Sequence, residues 1–121
     1  MTKIDDLSNT YLRFVNLVSA IRGLPSFPSL DAVEEHILNR LAAAWATSAR
    51  LTVLEAMEFN ANTSATTIHR RLKTLRQKGL IELREDETDS RVKYVVPTQA
   101  VKDYFAKLGQ CLDMAARAQP S

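Results

Sequence analysis

Arg70, Arg71, Lys73, Arg76 and Lys78 place five cations within nine positions, and the stretch from residue 59 to residue 80 that holds them has no Asp or Glu. Guanidinium and ammonium groups at this density suit phosphate oxygens, and Arg can also grip the acceptor edge of a guanine. A solvated helix face has the same composition, so context must decide between the two. Other chemistry is thinly supplied. His36 follows Glu34 and Glu35 without the Cys/His spacing of a metal site, and no metal is expected. His69 lies inside the basic run, where a hydrogen bond to phosphate is more natural than proton transfer. Cys111 has no neighbouring His and occupies an apolar helix position, the setting of a buried, inert thiol more than of a redox sensor. The glycines stand alone at 23, 79 and 109, so no Gly-rich phosphate loop is present. The chain reads as no enzyme, with no cofactor.

The whole sequence is that of a single globular domain, 1–121, at 45% apolar and 25% charged residues. Asp5 and Asp6 interrupt the place of a signal peptide, no window approaches a membrane span, and the lone Cys suits a reducing compartment. A cytoplasmic location without membrane attachment is expected. The net charge of +2 hides a sharp distribution. Residues 31–58 carry two basic and five acidic groups, residues 59–80 five and none, and residues 81–97 three and five.

The elements that must position these charges follow from periodicity and caps. Leu7, Tyr11, Phe14, Val15, Val18 and Ile21 recur at helical spacing from Asp6 to Arg22. The linker 23–29, with Pro25 and Pro28, ends that helix. A second helix starts at Asp31 with Glu34 three positions on as a capping box, and its core face is Val33, Ile37, Leu38, Leu41 and Trp45. A break is placed at Thr47 and Ser48. Thr52 and Glu55 make another capping box for a short helix from Val53 to about Phe59 that buries Leu54 and Met57. Residues 60–63 form the turn, and Ser64 opens a fourth helix with Ile68, Leu72 and Leu75 inward, ended by Gly79 in the left-handed conformation. Leu80–Arg84 and Val92–Val96 are strands joined by a tip at 85–91. Thr98 caps a last helix with Val101, Tyr104, Phe105, Leu108, Leu112 and Ala115 on one stripe.

Helix, turn, basic helix and β-hairpin in this order describe a winged helix-turn-helix, and the expected fold class is mainly α (α+β) with helices added at both ends. The core is assigned to 31–97 and the terminal helices to 5–22 and 98–118. In this context the basic helix 64–78 points to double-stranded DNA. Ser64, Thr66, Thr67, His69, Arg70, Arg71 and Lys73 are its candidate contacts, with small polar groups in the first turn where a helix end approaches base edges. Arg76 and Lys78 suit phosphate or the helix dipole.

The run Thr67–Ile81, with Leu75, Lys78, Gly79, Leu80 and Ile81 at their spacing, followed by Asp89, Arg91 and Thr98, resembles the MarR family of bacterial winged-helix regulators over residues 30–100. The resemblance implies a homodimeric repressor, with Asp89 and Arg91 beside the DNA on the wing 82–96 and the Arg in the minor groove. Ser90, Pro97 and Val101 depart from the family's usual Arg, Leu and Gly. Glu85, Asp86, Glu87 and Asp89 make the tip acidic, so Arg91 either pairs with Asp89 as a brace or reaches DNA held by it. Leu7, Tyr11, Phe14, Val18, Tyr104, Phe105, Leu108 and Leu112 are the expected dimerisation residues; packing within one chain is the other reading. The resemblance also admits a small-molecule effector near Tyr11, Phe14 or Trp45, aromatics that suit a core equally. A winged-helix protein-interaction module, its acidic tip docking a basic partner, is the alternative function.

Overall fold

A computed structural model describes residues 6–47, 50–59 and 63–118. Its elements are helix α1 (Asp6–Arg22), helix α2 (Ala32–Ala46), the single-turn helix α3 (Val53–Ala56), helix α4 (Ala65–Gln77), strand β1 (Ile81–Glu85), strand β2 (Lys93–Pro97) and helix α5 (Gln99–Arg117). They form two compact units, Leu30–Lys102 and the combination of Met1–Ser29 with Asp103–Ser121.

In the Leu30–Lys102 unit each helix start is fixed by its own sequence. Asp31 and Thr52 accept from the backbone N–H of Glu34 and Glu55, whose carboxylates accept from the cap N–H groups in return. The same bonds hold the Glu55 carboxyl below its ordinary range, through Thr52. Ser64 caps α4 by accepting from the Thr67 N–H at 3.2 Å. At the other end of α4, Gly79 takes a φ of 76°. Its N–H donates to the Arg76 carbonyl and that of Leu80 to the Leu75 carbonyl, both at 3.0 Å, which is a Schellman closure. Leu75 and Leu80 are both buried beside it. Leu80 therefore belongs to the helix end, and the hairpin starts one residue later than the sequence suggests.

The core of this unit gathers Ile37, Leu38 and Leu41 of α2, Ile68, Leu72 and Leu75 of α4, and Ile81 and Val95 of the sheet. Strands β1 and β2 pair antiparallel with Leu83 opposite Val95 and Arg84 opposite Tyr94. Trp45 is half-buried and its indole N–H donates to the Val95 carbonyl at 3.0 Å. Val95 donates in turn to the Leu51 carbonyl at 2.8 Å, and Thr52 bridges Tyr94, so the start of α3 is pinned to β2. That pinning corrects one expectation. Leu54 is 79% exposed and Ala56 is buried in its place, because the cap at Thr52 sets the rotation of this single turn and aims position 56 inward. Met57 is half-buried. Thr47 is the C-cap of α2, Ser48 lies outside the described residues, and so do residues 60–62 of the expected turn.

In the unit of Met1–Ser29 with Asp103–Ser121, α1 has no buried residue, whereas α5 buries Tyr104, Cys111 and Ala115. The inward stripe of α5 steps by four and three through Tyr104, Leu108, Cys111 and Ala115; Leu112, placed on it by sequence, is one residue off and exposed. Arg13 of α1 donates from Nε and Nη2 to the Ala115 carbonyl at 3.3 and 3.1 Å. Phe27, in the stretch read as a mere linker, is buried and stacks on Tyr104 at 5.2 Å between ring centroids, and Tyr104 meets Phe105 edge-on. Tyr104 is thus 4% exposed inside its own chain and presents no surface to a second copy, a correction to its place among the dimerisation residues. Phe14, Val18, Phe105 and Leu108 are half-buried, while Leu7 at 83%, Tyr11 and Leu112 are exposed.

Candidate nucleic-acid interface

The basic helix α4 divides its charge between two faces. Arg71 lies beside the buried seam and its Nη2 meets Asp31 Oδ2 at 2.9 Å; Lys78, two turns on, meets Glu34 at 2.9 Å. Both partners belong to the capping box of α2. Glu34 is 3% exposed and its carboxylate accepts three hydrogen bonds from two donors: Oε1 accepts from the Asp31 N–H at 3.0 Å and from Lys78 Nζ at 3.1 Å, and Oε2 accepts from Lys78 Nζ. Removing a carboxylate this deep from water is costly without a cation beside it, so Lys78 is tied to the fold. Arg71, expected among the DNA contacts, is paired with Asp31 at the start of α2 and keeps 31% of its side chain exposed. Ser64 and Thr67 are also engaged locally: the Ser64 hydroxyl donates to Thr67 Oγ1 at 2.9 Å in addition to capping its N–H.

What remains is a coherent face. Thr66, His69, Arg70, Lys73 and Arg76 recur at three- and four-residue steps, all exposed, on a helix without an acidic residue in its first turn. Among the described residues Arg70, Lys73 and Arg76 form no ion pair. His69, Lys73 and Arg76 also rim a cavity of about 290 Å³ floored by Val53, Leu72 and Leu83.

The wing carries the other half of the site. Asp89 Oδ1 accepts from both the backbone N–H and the Nε of Arg91 at 3.0 Å, and Oδ2 accepts from Nη2 at 3.2 Å. Arg91 keeps 89% of its side chain exposed while its guanidinium is held two-pronged, so brace and outward presentation coexist in one geometry. The pairing holds the Asp89 carboxyl below its ordinary range. Asp86 was not singled out by sequence. Its Oδ2 accepts from the N–H and hydroxyl of Thr88 at 3.0 and 2.8 Å and from the Asp89 N–H at 3.2 Å, and its Oδ1 accepts from the Tyr94 hydroxyl at 3.0 Å. These bonds, led by those from Thr88, hold its carboxyl down at about 2, and the hydrogen bond that the Tyr94 hydroxyl donates to Asp86 raises the phenol. An Asp two residues before a Thr in a polar tip is an Asx-turn signal that could have marked it. Two of the four acids that seemed to oppose phosphate are therefore the scaffold of the tip, and Glu85 and Glu87 remain exposed.

Trp45 lines an open cavity of about 400 Å³ with Arg50, Arg84, Glu87 and Tyr94 on the wing's flank. Among the described residues no group of three or more His, Cys, Asp or Glu side chains is placed to hold a metal ion, and no helix is long and apolar enough to cross a membrane.

The sequence matches no protein-family model and no curated protein. Its backbone is similar to solved structures. A MarR-like transcriptional regulator from Thermotoga maritima superposes with a TM-score of 0.59 at 19% identity, covering 95% of this chain and 80% of that one. The heme sensor protein PefR from Streptococcus agalactiae, in complex with heme, gives 0.58 at 18% identity over 95% and 76% of the two chains. Heme-free PefR gives 0.56 at 17% identity over 92% and 91%. At these identities the likeness is one of fold, and the fold is the winged helix of MarR-like regulators.

Proposed function

From that winged-helix fold we propose that the chain is a DNA-binding transcriptional regulator, a homodimeric repressor that binds an inverted repeat through α4 and the wing. The observation that carries the reading is the outward face Thr66, His69, Arg70, Lys73 and Arg76, whose cations Arg70, Lys73 and Arg76 form no ion pair among the described residues while Arg71 and Lys78 are already matched. Arg70 and Lys73 contact phosphate or guanine, Thr66 and His69 meet base edges, and Arg91 enters the minor groove from the wing. The exposed Leu7, Tyr11 and Leu112, with the half-buried Phe14, Val18, Phe105 and Leu108, supply the apolar surface that a second copy covers. The dimer presents two α4 helices about one DNA turn, roughly 34 Å, apart. Repression is the part taken from the resemblance of the sequence to its family. The interaction-module reading loses ground because two of the four tip acids, Asp86 and Asp89, already accept hydrogen bonds within the wing.

Selection of bound fragments from a random-sequence duplex pool tests DNA binding, symmetry and spacing together. The proposal requires an enriched inverted repeat and a dimer by sedimentation equilibrium at micromolar concentration. A protein that enriches nothing, or binds a half-site as tightly as the full repeat, refutes it.

A further inference from the structure

The wing contains a connected chain of bonds that the DNA-binding reading does not use. Tyr94 is the second residue of β2, opposite Arg84; it bridges Thr52 at the start of α3 and carries the Arg50 guanidinium 4.7 Å above its ring. Its hydroxyl reaches across the hairpin to Asp86 Oδ1, and the other oxygen of the same carboxylate gathers three donors from Thr88 and Asp89. The Asp86 N–H donates to the Val92 carbonyl at 2.9 Å and the Val92 N–H to the Asp89 carbonyl at 3.0 Å, which closes the tip. Asp89, fixed by its own N–H, then grips Arg91. A seven-residue tip between two five-residue strands has little apolar burial of its own. The polar chain is therefore what gives it one shape.

Resting on the regulator reading, we infer that Asp86 and Tyr94 are positioning residues for Arg91: they tie the wing tip to the start of α3 and set where the guanidinium stands relative to α4. Neither touches DNA. Their effect on binding passes through Arg91, and this distinguishes them from residues that merely keep the hairpin folded. Tyr94→Phe deletes one hydroxyl and leaves the ring, its stacking with Arg50 and the strand pairing in place. Asp86→Asn keeps one acceptor oxygen, which the amide can turn toward the Thr88 and Asp89 donors, and sets its NH2 against the Tyr94 hydroxyl, so it is the milder change.

The test is a double-mutant cycle on duplexes that the wild-type protein selects from the random pool, read by fluorescence anisotropy. Arg91→Ala should weaken binding about tenfold, and Tyr94→Phe about three- to tenfold, with unfolding temperature and dimerisation unchanged. In the Arg91→Ala background Tyr94→Phe should cost nothing further. Repeating the selection with Tyr94→Phe should lose sequence preference at the same positions that Arg91→Ala loses. Wild-type binding with a harmless Tyr94→Phe overturns the inference, as do an indifferent Arg91→Ala or losses that add in full; each leaves the regulator reading standing. Failure of the wild-type protein to select any duplex removes that reading itself.

Discussion

Helix α4 and the wing both commit part of their charge to the fold, in opposite ways. In α4 the backbone shape comes from helical hydrogen bonds and a capped start, so the ion pairs of Arg71 and Lys78 with α2 determine only where a ready-made rod lies. In the wing tip the side chains create the shape, since Asp86 supplies acceptors for N–H groups that no strand pairs. A contact on α4 can therefore be removed singly, with its neighbours undisturbed. A bond removed from the tip displaces the residues beyond it.

The largest expected effect tests the α4 half of this contrast. Replacing Arg70 and Lys73 together by Ala should weaken DNA binding by about two orders of magnitude and flatten the slope of log affinity against log salt by about 1.8, roughly 0.9 per phosphate contact. Arg71→Ala should leave that slope unchanged; a slope reduced as much as by Arg70→Ala would place Arg71 on the DNA after all. Next in size is Lys78→Met, which leaves the Glu34 carboxylate buried without its cation. Lys78 is about one-third exposed, so the cost in urea unfolding should be about 2 kcal/mol, below the range for a fully buried pair, and Glu34→Gln in the same protein should recover part of it. Asp31→Ala should cost about 1 kcal/mol for the cap and roughly 0.5 kcal/mol more for the half-exposed pair with Arg71.

The smallest effect concerns pH and the wing. The Asp86 carboxyl is held at about 2 against an ordinary 3.8, so the bonds it accepts are fully present above the ordinary value and fail only as pH falls through about 2. The Thr88 and Asp89 amide resonances should accordingly stay still from pH 7 down to about pH 3. A midpoint near 4 would show that the tip is not built on that carboxylate.

Much of the architecture was legible because it is local. Capping boxes at Asp31 and Thr52, the seam of Ile68, Leu72 and Leu75, and Gly79 at a helix end are all written within a few positions of one another. Leu54 was misread because a helix of one turn has no periodicity from which to assign a face. Leu112 and Cys111 are adjacent, and a stripe stepping by three or four can pass through either until the neighbouring surface selects one. Of the candidate site, Thr66, His69, Arg70 and Lys73 share an exposed face as helix spacing demands. Arg71 could not be told from Arg70 by spacing, because its partner Asp31 comes from another helix and the basic run holds no record of it.

Glu34 has a kinetic consequence. One carboxylate accepts from the N-cap of α2 and from the C-cap residue of α4, 44 positions later, so neither helix end can fray without withdrawing a ligand from the other. The amide hydrogens on both sides of that carboxylate should then exchange with solvent through one shared opening, at rates that rise and fall together, and more slowly than helix termini ordinarily do.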